Sequence, residues 1–174
     1  MARYRKVEPK MWRDEKFRQL SALEPCGQAL WMWLLTGPCT TNIPGVLVGT
    51  DQVMAAELRW SAKAFREAFE EASRKGMAKG DFDAGLVWLP NACRPGDDRN
   101  KPESPNVVRS WRDTWDELPN CKLKSQIWQS LRTFTKALGE GFAKAFAEAC
   151  RQPSPNQEQE QEQEQEQEQE QEQE

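Results

Sequence analysis

Between residues 50 and 89 the spacing of apolar positions changes from helical to extended. Val53, Met54 and Leu58 give one apolar face to a segment that opens with Thr50 as N-cap and Asp51 at the positive end of the helix. Arg59 and Trp60 make a tight turn, and Ser61 caps a second segment. There Phe65, Ala68, Phe69 and Ala72 recur at i, i+3, i+4 and i+7, a single buried stripe. Gly76 stops this helix as a C′ residue does. MAKGDF and GLVWLP follow as two short strands, with Asp83-Ala84-Gly85 in the turn between them. Helix, turn, helix and hairpin in this order predict a winged helix, which holds one helix against DNA or against another protein.

The flanking segments extend the pattern. A short basic stretch, ARYRKVEP, precedes a brief helical segment in which Trp12, Phe17 and Leu20 are expected to pack together. QALWMWLL reads as a buried helix that Gly37-Pro38 terminates. Ile43-Pro44-Gly45 turns the chain into VLV, a strand expected to join the hairpin in a small sheet. The winged-helix domain therefore covers residues 1–91. Residues 92–103, charged and proline-broken, read as a linker or exposed loop. In residues 104–150, Ser104-Pro105 opens a helix whose face is marked by Val108, Trp111, Trp115 and Leu118. Pro119-Asn120 breaks it. Leu123, Ile127, Leu131, Phe134 and Leu138 mark another helix, which Phe142, Ala145, Phe146 and Ala149 extend past a weak Gly139/Gly141 interruption. Whether these helices pack back on the sheet or form a separate unit is open at the level of sequence. The fold class is thus mainly α with a small β-hairpin, followed by C-terminal helices and an acidic tail over residues 151–174.

Charge changes this picture in one respect. Nine Gln-Glu pairs over residues 157–174 hold nine of the 28 acidic residues, so the remainder sets 24 Lys and Arg against 19 acids, a net of +5. A mildly basic body suits a polyanionic partner better than the whole-chain charge of −4 suggests. The repeat has no apolar residue to bury and reads as a disordered, low-complexity extension. An alternative is an acidic strip that competes with DNA for the basic surface.

Candidate chemistry is sparse. The sequence contains no histidine, which removes Ser-His-Asp and Cys-His catalysis and His-ligated zinc. Neither a P-loop nor G-x-G-x-x-G occurs. The carboxylate pairs Asp81/Asp83 and Asp97/Asp98 sit in turn-like or linker sequence, where Asp serves local hydrogen bonding. Five scattered Cys without a C-x-x-C pair argue against a disulfide framework and a zinc site, and fit a reducing compartment. The apolar run at residues 29–35 is too short to cross a bilayer, and no apolar segment follows the basic N-terminus as a secretory signal would. The expectation is a soluble, cytoplasmic, non-enzymatic protein that needs no cofactor and no membrane. Eight Trp, mostly at helical spacing, read chiefly as core, with Trp111 and Trp115 as possible anchors of a partner interface or self-association.

With the Phe65/Phe69 stripe inward, the second helix turns Lys63, Arg66, Glu67, Glu70 and Arg74 outward. Ser61, Lys63 and Arg66 occupy the first turns, the part of a recognition helix that reaches base edges. Arg66 suits a bidentate contact to guanine and Lys63 a phosphate. Arg74, Lys75 and Lys79 carry positive charge toward the hairpin, and Arg3, Arg5 and Lys6 form a basic arm for the backbone or a minor groove. Glu67 and Glu70 on the same face offset part of this attraction.

Three stretches resemble phage and prophage replication proteins of the replisome-organiser type, which carry an N-terminal winged helix. They are RYRKVEPKMWRDEKFRQLS, ELRWSAKAFREAFEEASRKGMAKGDFDAGLVWLPN and NKPESPNVVRSWRDTWDELPNCKLK, and the likeness spans residues 3–150. Some such proteins also carry Gln-Glu repeats near the C-terminus. The resemblance implies duplex DNA binding at a replication origin and recruitment of the replicative helicase or its loader. On the matching positions, DNA contact falls to Ser61, Lys63, Arg66 and Lys79. The same fold also serves transcriptional regulators, which bind palindromic sites as dimers, and adaptors that bind protein alone.

Overall fold

The computed structural model describes residues 7–97 and 99–153. The expected basic arm of Arg3, Arg5 and Lys6, and the Gln-Glu repeat, lie outside the described residues. A 3-10 turn at Pro9–Arg13 leads into α1 (Glu15–Gln19) and α2 (Gly27–Thr36). Then come β1 (Val46–Val48), α3 (Asp51–Leu58), α4 (Ala62–Arg74), β2 (Lys79–Asp81) and β3 (Leu86–Trp88). A 3-10 turn at Pro90–Cys93 precedes α5 (Pro105–Arg109), α6 (Arg112–Glu117), α7 (Lys122–Leu138) and α8 (Glu140–Ala149). The three strands form one antiparallel sheet in the order β1-β3-β2. The architecture is mainly helical around that sheet.

Local chemistry fixes the turn between α3 and α4. Thr50 Oγ1 accepts from the Val53 N–H at 3.3 Å, and Ser61 Oγ accepts from the Ala64 N–H at 3.1 Å, so both helices start on a capping oxygen. Arg59 ends α3 in the left-handed region at φ 60°, an unfavourable place for a residue with a Cβ. Its guanidinium donates to the Arg18 and Leu20 carbonyls at 2.9 and 2.8 Å, and the neighbouring Trp60 indole donates to the Leu23 carbonyl at 2.6 Å. These bonds tie the segment after α1 to the turn and hold Arg59 in place. On α4 the expected stripe of Phe65, Ala68, Phe69 and Ala72 is buried. Phe82 from the hairpin meets Phe65 and Phe69 edge-on, with centroids 5.9 and 4.9 Å away.

The sheet is covered on both faces. Leu47 and Val87 pack with α2, α3 and α4, whereas Val46, Leu86 and Trp88 pack with residues of the C-terminal helices. All three residues of β3 are therefore buried, and LVW reads as a continuous apolar run rather than an alternating one. α7 packs against β2, β3 and α8, and α8 packs against α5. This answers the question left open by the sequence: the C-terminal helices supply the sheet's second layer. VLV pairs with β3 as expected, Val46 opposite Trp88 and Val48 opposite Leu86.

Several expectations are corrected. Val53 is 52% exposed, and Ala55 takes its place on the buried face of α3 beside Met54 and Leu58. Trp12 and Phe17 stack edge-on at 5.5 Å, but the Leu20 side chain is 61% exposed, while its carbonyl accepts from Arg59. α2 is buried along Leu30, Trp33 and Leu34 only, and Met32 and Leu35 are half-exposed. Residues 92–103 are not simply an exposed connector: Cys93 is buried, Pro102 is buried, and Asn100 Nδ2 donates to the Ala92 carbonyl at 2.9 Å. The helix expected from Ser104 is interrupted at residues 110–111, although Val108, Trp111, Trp115 and Leu118 all remain inside. Gly139, at φ 122°, ends α7 outright, so the apolar face of α8 folds back on α5 and α7 instead of prolonging α7.

Gly45 is the glycine with least freedom to change. It has φ 79°, and an added Cβ would lie 2.5 Å from the Ala92 Cβ and 2.8 Å from the Leu89 carbonyl oxygen. Strain and collision act together, so Gly45→Ala is expected to cost about 2–4 kcal/mol. Chemical denaturation of the variant reads this directly, and a loss below about 0.5 kcal/mol would show that the turn relaxes freely.

Candidate nucleic-acid interface

The residues expected to meet DNA do not all share one surface. Lys63 is exposed on α4, its side chain 86% accessible, with Nζ in a long ion pair 3.9 Å from Glu67 Oε1 one turn on. Arg66 is more committed. Its Nε donates to Asp51, whose carboxylate is buried at the first turn of α3, so the guanidinium is the counter-ion of a buried acid. The Arg66 side chain is still 60% exposed, which leaves its outer edge facing solvent. Ser61 is exposed, but its hydroxyl oxygen is engaged in the cap. Arg74 in the last turn of α4 and Lys75 at its C-cap are both exposed, where cations complement the helix dipole.

Lys79 departs from the expected position. In the register it stands opposite Trp88, so its side chain shares the sheet face that meets the C-terminal helices. Nζ donates to Gln126 Oε1 of α7 at 2.8 Å and lies 5.5 Å from the Trp88 ring centroid. The ladder, not the loop, aims this lysine. A cleft of about 670 Å³ opens along the edge of β2, between Arg66 and Glu70 of α4 on one side and Lys122 and Gln126 of α7 on the other. Its charges balance: Arg66, Lys79 and Lys122 face Glu70, Asp81 and Asp83. Asp81 Oδ1 accepts from the Ala84 N–H at 3.0 Å and so shapes the hairpin turn, which Gly85 completes at φ 71°.

Trp111 and Trp115 are not surface anchors. They are 1% and 2% exposed, packed in the core on the sheet's second face. Trp115 Nε1 donates to the Arg151 carbonyl at 2.9 Å, Trp128 Nε1 to the Cys150 carbonyl at 3.0 Å, and Arg112 to the Glu148 carbonyl at 2.9 Å. Together these donors occupy carbonyls left open where α8 ends. Lys124 is buried beneath Trp115, its Nζ donating to the Leu118 carbonyl at 2.8 Å, and burial lowers its pKa. Burial pushes the Cys93 and Cys150 thiols up to about 12, which keeps both protonated at neutral pH.

The sequence offered no direct sign of Asp51 as the partner of Arg66, since the two are 15 residues apart on different helices. An acid placed at a first turn beside a buried stripe was the available hint. Lys122 and Gln126 were hidden by the open question of where α7 packs. Among the described residues, no group of three or more His, Cys, Asp or Glu is placed to hold a metal ion, and no helix is long and apolar enough to cross a membrane. Comparison with family models, curated proteins and solved structures finds nothing that matches the chain.

Proposed function

We propose that the chain binds duplex DNA as a winged helix, with α4 in the major groove and the hairpin loop on the flanking backbone. The observation that carries the reading is the arrangement of α3, α4 and the hairpin. α4 is buried on one side only, and its first two turns present Lys63 and the outer edge of Arg66 to solvent. Lys63 suits a phosphate and Arg66 a base edge, while Arg74 extends the cationic surface along the same face of the helix. The replication role rests on the resemblance of three stretches to replisome organisers. It implies that a helicase or helicase loader is recruited in the host cytoplasm once the protein sits on its site.

A protein-binding use of the same fold is the second reading. What favours it is the pairing of Lys63 with Glu67 and of Arg66 with Asp51, together with the balanced charges of the cleft at β2. The two readings separate in a salt series. If DNA is the ligand, the full chain binds labelled duplex with an affinity that falls steeply with salt. The double variant Lys63→Ala/Arg74→Ala then reduces the log–log slope by about 2. Affinity that is equally weak in both proteins at low salt would overturn the DNA reading.

A further inference from the structure

The open edge of the sheet carries an inference that does not depend on DNA binding. In the order β1-β3-β2, β2 pairs on one side only. The Gly49 N–H donates to the Gly85 carbonyl, and the Leu89 N–H to the Gly45 carbonyl, both at 2.8 Å. The hydrogen-bonded pairs of the β1–β3 ladder are therefore those at Gly45, Leu47 and Gly49. Alternation turns the backbone of Leu86 and Trp88 toward Asp81 and Lys79 of β2, and leaves the Gly80 N–H and C=O pointing away from β3. One backbone donor and one acceptor thus face the cleft of about 670 Å³ between α4 and α7. The two walls of that cleft differ. On the α4 side Gly80 brings no side chain, and the rings of Phe69 and Phe82 lie 3.1 Å from where its Cβ would stand. On the α7 side Lys79 and Asp81 share one face of the strand, and Nζ of Lys79 bonds Gln126, one helical turn from Lys122.

We infer that this edge receives an extended peptide from a partner protein, added as a fourth, antiparallel strand whose central residue is aromatic, preceded by a base and followed by an acid. The central residue exchanges both hydrogen bonds with Gly80. Its side chain falls on the face of Phe69 and Phe82, where an aromatic ring covers the glycine of an edge strand. The residue after it stands opposite Lys79 with Lys122 beside it, which selects an acid, and the residue before it stands opposite Asp81, which selects a base. A second copy of the chain does not fit. Paired strands lie about 5 Å apart, whereas packed helices need about 8–10 Å, and α4 and α7 both reach this edge. A bare strand, without helical layers of its own, has room.

The test is a titration of the isotope-labelled full chain with the end-blocked peptide Thr-Thr-Lys-Phe-Glu-Thr-Thr, read by backbone amide shifts. Gly80 and its neighbours in β2 are expected to move most and to saturate. N-methylation of the peptide's Phe removes the N–H that the Gly80 carbonyl accepts, and is expected to weaken binding by about tenfold or more. Lys79→Glu and Lys122→Glu, both at exposed positions, are each expected to weaken binding by about fivefold and to favour Thr-Thr-Lys-Phe-Lys-Thr-Thr instead. Equal binding of the N-methylated peptide, charge variants that keep the wild-type preference, or shifts that miss β2 would each overturn the inference. So would a Gly80 amide that resists hydrogen exchange before any peptide is added, since a second copy or the chain's own residues would then already cover the edge.

Discussion

Trp115→Ala is expected to cost about 3–5 kcal/mol, a large loss for a single side chain of the C-terminal layer. The indole is 2% exposed and touches the core that covers Val46, Leu86 and Trp88. Truncation opens a cavity in a close-packed cluster that also contains residues of the sheet and of α7, so little collapse is available. Two further contacts are lost with the ring: the bond to the Arg151 carbonyl and the position over the Lys124 ammonium, 5.2 Å from the ring centroid. Lys124 would stay buried, donating to the Leu118 carbonyl and to Asn120 Oδ1, without the ring over its ammonium. Trp115→Phe keeps much of the volume and removes the hydrogen bond, so its loss should be smaller, with about 1 kcal/mol of it owed to that bond. Urea unfolding followed by circular dichroism reads both. A loss below about 1 kcal/mol for the alanine variant would mean that the C-terminal helices do not share a core with the sheet.

The second large effect concerns Arg66, and it joins stability to function. Arg66→Ala leaves the Asp51 carboxylate buried without its counter-ion, an expected loss of about 1–3 kcal/mol. The value stays below that of a fully buried pair because the Arg66 side chain is 60% exposed. Adding Asp51→Asn removes the stranded charge while keeping the shape, so the double variant should recover more than half of the loss. That compensation is the sign of a pair rather than of two independent sites. It also gives the proper control for DNA binding. If Asp51→Asn/Arg66→Ala is as stable as wild type yet binds duplex more weakly, the guanidinium contributes at the interface as well as in the fold. If the double variant is no more stable than Arg66→Ala, the ion pair is not what holds Arg66.

What was legible in the sequence follows the strength of local signals. The stripe on α4, the caps at Thr50 and Ser61 and the Asp-containing hairpin turn all rest on contacts within a few residues, and each is found where the spacing predicts. Lys79 illustrates the opposite case. Its place near the hairpin was readable, but its direction depends on the pairing register with Trp88 and on Gln126, which is 47 residues away. The pattern along α4 marks Arg66 as an outward cation but hides its acid partner, which belongs to the preceding helix. The apolar run of α2 reads as a buried helix, whereas packing fully buries Leu30, Trp33 and Leu34 and leaves Met32 and Leu35 half-exposed.

The central proposal, that α4 and the hairpin hold duplex DNA, is tested most directly by backbone amide shifts of the full chain as duplex is added. The account predicts that the largest changes gather at residues 61–66 and 82–85, with α7 and α8 little affected beyond their contact with β2. Shifts confined to α5–α8, or none at concentrations where binding is saturated, would contradict it.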